Sequence, residues 1–134
     1  MALLMATILA TSPIAVGKAT RYAPGLMAEV VENRIKWGQL NPNQGGRYLG
    51  YVAVYDCALI GESVVLELPG GVYSGPHLVA DCGAVHDQEY LDSIDFAVDL
   101  SYPLAQRLGA IDAPIEGVKV WLISLRNRPA KGAM

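Results

Sequence analysis

Positive charge is scarce in this chain: ten of its 134 residues are lysine or arginine, against thirteen aspartates and glutamates. Those ten are scattered and form no basic patch, so nucleic acid is a poor partner. No apolar run is long and unbroken enough to span a bilayer. The best stretch, "MALLMATILATSPIAVGKA", has no Lys or Arg ahead of its apolar part and is interrupted by Pro13. Residues 1–16 read either as a weak export signal or as edge strands, "TILAT" and "PIAVG", that stay in the fold. A phosphate-cradling loop is missing too, because "GGRYLG" lacks the lysine and the following helix. His77 and His86, the two histidines, sit in turn-like polar stretches as solvated or capping residues. They complete no Ser/His/Asp arrangement.

What the chain does have is apolar residues, at 52% with 17% charged, which excludes disorder and permits a core. Its length suits one domain. Fourteen glycines and eight prolines point to many tight turns and hence short elements. The segment "LMAEVVENRIKWG" repeats Met27, Val31 and Ile35 at four-residue spacing, with Glu32 and Lys36 as an i,i+4 pair and Gly38 as a stop. That is an amphipathic helix docked on a core. "KATRY", "GYVAVYDCALIG", "SVVLELPGG", "HLVADCGA", Ile94 to Leu100 and "VKVWLISL" read as strands. "SYPLAQRLG" has Ser101 as N-cap, Pro103 in the first turn and Gly109 as stop, which makes a two-turn helix. Residues 17–125 then form the domain and 126–134 a polar tail. The expected architecture is a small, mainly β barrel with added helices.

Five segments in order carry a resemblance: "GKATRYAPG", "YVAVYDCALIGESVVLEL", "LVADCGA", "FAVDLSYPLAQRLG" and "GVKVWLI". Together they resemble the double-psi β-barrel of the rare lipoprotein A, expansin and barwin group, and residues 50–123 are similar to the three-aspartate lytic domains. The resemblance implies a mainly β fold: a six-stranded double-psi barrel with one inserted amphipathic helix and a short helix before the last strand. It also implies carbohydrate contact. By position, Asp81 falls where the lytic branches keep their catalytic acid, Asp99 on the Asp-Leu-Ser element beneath the groove, and Tyr22 on the aromatic of the opening strand. The chain departs from the group in three places. Tyr55 and Asp56 stand where the lipoprotein-like enzymes keep a His. Ala23-Pro24 replaces the second acid of barrel endoglucanases, and the expansin His-Phe-Asp motif is missing.

A lytic transglycosylase works with one carboxyl, whereas hydrolysis needs two. Asp81 follows Leu78, Val79 and Ala80, an apolar setting that would raise its pKa toward the useful range; it could equally accept backbone N–H bonds in an Asp-Cys-Gly turn. Asp56 is a candidate second acid or a turn former, and Asp99 a candidate acid or a backbone-bonding residue. Tyr22, Trp37, Tyr51 and Tyr55 are candidate sugar platforms, Trp37 foremost. In the barrel Cys57 and Cys82 would lie close, as a disulfide; the alternatives are two free thiols or a zinc site with His77 and His86. No cofactor and no metal are expected. The leading expectation is a glycan-directed barrel, secreted, periplasmic or extracellular, that cuts peptidoglycan with Asp81 as general acid and base. Its alternatives are a non-catalytic expansin-like binder of polysaccharide, or a structural part of an extracellular or virion assembly that self-associates through its N-terminal strand.

Overall fold

In the computed structural model, which describes residues 5–8, 11–83, 91–92 and 94–126, the strands form one mixed sheet. They are β1 (Met5–Ile8), β2 (Ala15–Arg21), β3 (Gly50–Val54), β4 (Ser63–Leu68), β5 (Val72–Cys82), β6 (Phe96–Leu100) and β7 (Ile115–Arg126). The order is β1-β7-β2-β6-β3-β5-β4, and β4 pairs back onto β7, which closes six strands into a barrel. Parallel pairing joins β2 to β6 and β3 to β5; the remaining pairs are antiparallel. At Ile123, β7 faces Ser63 of β4 on one side and Ile8 of β1 on the other. Strand β1 therefore lies outside the closed barrel, along the edge that β2 occupies further back. Residues 126–134, the expected tail, fall outside the described part after Arg126, as does His86.

The barrel interior is aliphatic apart from His77. Val52, Val64, Leu66, Val98 and Leu100 are wholly buried there, each at an inward position of its strand. Two helices are attached. Helix α1 (Leu26–Lys36) follows β2, and helix α2 (Tyr102–Leu108) joins β6 to β7 and adds Leu104 and Ala105 to the barrel core. Both end where a glycine takes the left-handed conformation, Gly38 at φ 76° and Gly109 at φ 76°, as the sequence indicates. Ser101 precedes α2 without making a side-chain cap bond.

A second apolar layer lies between α1 and the outside of the barrel wall. Met27 of α1 packs there with Leu40, Ala53, Leu78 and Ala80, flanked by Val30, Val31 and Ile35. The helix thus docks on a core through the expected stripe. Glu32 and Lys36, expected to pair, are both exposed and make no ion pair among the described residues.

Three further expectations are corrected. The strand expected to run on from "GYVAV" through "YDCALIG" stops at Val54, because the Asp56 carboxylate accepts from the Ala58 N–H (2.9 Å) and starts a 3-10 turn over Cys57–Leu59. The opening strand starts at Ala15, so the last three residues of "PIAVG" are absorbed into β2. His77 is neither solvated nor capping: it is wholly buried in β5, where its Nε2 meets the Ser74 hydroxyl at 2.8 Å.

Candidate functional site: two carboxylates beneath the inserted helix

The opening motif is explained by close contacts. Asp95 adopts φ 58°, which aims its carbonyl at the β2 backbone, where it accepts the Lys18 N–H at 2.6 Å. A Cβ on residue 17 would lie 2.3 Å from that carbonyl oxygen, so residue 17 must be glycine. Ala19 turns into the barrel core. Thr20 and Tyr22, on the opposite alternation, turn outward toward the acids.

Strand β5 reaches the same face through an irregularity. Val52 of β3 faces Val79, yet the next residue, Ala53, faces Asp81, so Ala80 is an extra residue on β5. Strict alternation from inward-facing Val79 would turn Asp81 into the barrel. The bulge instead leaves both Ala80 and Asp81 outside, beneath α1. Ala53 also faces Asp99 across the antiparallel β3–β6 pair, and Asp99 faces Thr20. One row of the wall therefore runs Thr20, Asp99, Ala53, Asp81.

Each acid in this row is held differently. Asp81 Oδ1 accepts from Arg34 Nη2 of α1 at 2.6 Å, and its Oδ2 accepts from the Tyr22 hydroxyl at 2.5 Å. Arg34 Nη1 donates in turn to Gln39 Oε1 at 2.7 Å. The side chains of Arg34 and Asp81 are each 17% exposed. Asp81 is thus neither in a turn nor among apolar neighbours alone: it is a strand residue with both oxygens engaged by side-chain donors. Burial, first, and then the Asp81 hydrogen bond keep the Tyr22 phenol protonated far above its ordinary range. Asp99 accepts from Thr20 Oγ1 at 3.0 Å, and burial pushes its pKa up to about 6, with the Thr20 bond opposing and the Asp81 charge adding.

Of the residues singled out from the sequence, Tyr22, Asp81 and Asp99 come together, with Tyr51 packed in the same layer. Asp56 does not join them; it caps the 3-10 turn and lines a separate cleft of about 300 Å³ with Tyr55. Trp37 lies at the end of α1, 64% exposed, and does not line that cleft. Cys57 and Cys82 form a disulfide, with Cα atoms 4.9 Å apart, which excludes free thiols and leaves no thiolate for zinc. Among the described residues no cluster of three metal-ligating side chains occurs.

Sequence reading missed Arg34. A signal was present: Arg34 lies seven residues after Met27, on the apolar stripe itself, and a charge on a buried face requires a partner. It also missed a cleft of about 230 Å³ between α1 and α2. Tyr51, Tyr102, Met27, Leu49 and Pro103 line this cleft, with Arg107 at its rim donating to the Leu49 carbonyl.

Comparison with protein-family models, with curated proteins and with solved structures finds no match to this chain. Among the described residues no helix is long and apolar enough to cross a membrane.

Proposed function

We propose that this barrel is a glycan-directed module of the double-psi type that holds polysaccharide in the Tyr51–Tyr102 cleft and does not cut it. The observation that carries this reading is the state of Asp81. Its two oxygens are filled by Arg34 and Tyr22 under α1, whereas the neighbouring cleft is open and offers two aromatic side chains to a pyranose. The order of the five sequence motifs supports a carbohydrate partner, such as a peptidoglycan glycan strand. The disulfide supports an oxidising location, secreted, periplasmic, extracellular or on a virion.

The test is co-sedimentation of the protein with insoluble peptidoglycan and with cellulose, followed by mass spectrometry of the supernatant. The protein should pellet with glycan and release no anhydro-ended fragments. Tyr51→Ala and Tyr102→Ala should each weaken retention by about fivefold, the equivalent of about 1 kcal/mol. Failure to pellet with any glycan overturns the reading.

A second reading, glycan cleavage, is favoured by Asp99, a carboxyl with raised proton affinity in the same wall row as Asp81. In that reaction Asp81, freed of Arg34 and protonated from solvent, gives its proton to the glycosidic oxygen as that oxygen's bond to the anomeric carbon breaks. It then takes the proton of the sugar's own hydroxyl as that oxygen bonds to the anomeric carbon. Arg34 must first release Asp81. Anhydro-ended products that increase in Arg34→Ala and vanish in Asp81→Asn would establish cleavage and displace the binding reading.

A further inference from the structure

Arg21, the last residue of β2, lines a further cleft of about 350 Å³ with Thr20 and the loop 110–114, which includes Asp112. This cleft shares no lining residue with the Tyr51–Tyr102 cleft, but the two adjoin, since Arg21 rests against the Tyr102 ring. The Arg21 guanidinium is held from two sides. Its Nε donates to the Ile111 carbonyl at 2.9 Å, and its central carbon lies 5.4 Å from the centre of the Tyr102 ring. Among the described residues no hydrogen bond engages its two terminal nitrogens and no carboxylate lies within ion-pair distance, the Asp99 charge acting on it from further off. The result is an arginine already ordered by the fold, with the planar fork that matches a carboxylate still available. Pre-ordering matters because freezing a long side chain is a main cost of binding.

The rest of the lining selects the ligand. Thr20 borders the cleft, but its hydroxyl is turned to Asp99 on the other face of β2 and gives its hydrogen there. Asp112 is exposed and offers the acceptor on this side. A neutral sugar would leave the arginine fork unused. A dianion such as phosphate would place two charges near Asp99 and Asp112 against one cation. A single carboxylate with an adjoining hydroxyl serves both the Arg21 fork and Asp112.

We propose that the Arg21 cleft binds a hydroxylated monocarboxylate, a sugar acid, with the carboxylate on Arg21 and a hydroxyl donating to Asp112. The experiment is amide NMR of the full chain titrated with D-glucuronate, D-glucose and inorganic phosphate. Glucuronate should shift residues 20–21 and 110–114 saturably, with glucose and phosphate at the same concentrations causing far smaller changes. Arg21→Lys, which keeps the charge and loses the fork, should weaken glucuronate at least tenfold. Asp112→Ala, which leaves Arg21 in place, should weaken it about fivefold. Equal binding of glucose, stronger binding of phosphate, shifts that map elsewhere, or unchanged affinity in Arg21→Lys would each overturn the proposal.

Discussion

The inside of the barrel and the layer between its wall and α1 are both buried, but they tolerate different side chains. The interior is aliphatic apart from His77, which shares a face with Val64, and Leu66, Leu100 and Val118 are wholly inaccessible there. The outer layer mixes Met27, Leu40 and Leu78 with Tyr22 and Tyr51, and at its margin it holds Arg34 and Asp81. A closed barrel leaves a charge nowhere to find water or a partner. A helix laid on a wall has open margins, where a charge can be bonded and still meet solvent at one edge. Chemistry-bearing residues therefore gather in the second layer, and the barrel serves to set their spacing.

The largest expected effect tests the interior. Leu66→Ala should lower the unfolding free energy by about 2–5 kcal/mol in urea denaturation, because the cavity cannot collapse in a closed barrel. Loss of less than about 1 kcal/mol would mean that the interior is loosely packed. Breaking the disulfide joins the two regions, since Cys82 follows Asp81 directly. Cys57→Ala with Cys82→Ala should cost about 3 kcal/mol for a cross-link that spans 25 residues, read from the same denaturation.

Asp99 tests the margin through pH. Its proton is held up to about 6 in the folded chain, against 3.8 ordinarily, so folding is favoured below about pH 4 and loses that advantage as pH rises through about 6. Asp99→Asn should thus gain up to about 3 kcal/mol above pH 7 and nothing at pH 4. His77 works in the opposite sense. Burial, with Arg107 adding, lowers its pKa to about 4, so stability falls as pH drops from 6.5 toward 4. The Asn variant should therefore lose stability on acidification more steeply than the parent, as thermal melts across pH 4–8 would record.

The smallest effect concerns the latch on α1. Arg34→Ala removes the cation from Asp81 at a site only partly buried, and should cost about 2 kcal/mol. Hydrogen exchange should quicken in α1 while the barrel strands stay protected. Uniform loss of protection would mean that α1 and the barrel unfold together.

Much of the scaffold was readable along the chain. The spacing of Met27, Val31 and Ile35 placed α1 on an apolar layer, and Gly38 and Gly109 marked where both helices stop. A small β barrel was expected from the strand segments, and its count of six strands from the resemblance carried by the five ordered motifs. The site was readable only in part. Tyr22, Asp81 and Asp99 were picked by their place in a motif order, but the reason they meet is the extra residue at Ala80, which alternation along the strand does not foretell. Asp56 and Trp37 were picked by residue type, and type carries no information about which face a side chain takes.

The sequence by itself determined the short-range features: period-two strands, one amphipathic helix, and glycines at positions that L side chains cannot occupy, as at Gly17. These depend on neighbours a few residues away, and the steric rules there are strict. Tertiary structure alone decided that Arg34 and Tyr22 would take both oxygens of Asp81, that Asp99 would keep its proton, and that Arg21 would be left with an open fork. Those outcomes rest on strand register and on contacts between residues 47 to 90 positions apart, where a one-residue bulge reverses the face a side chain presents.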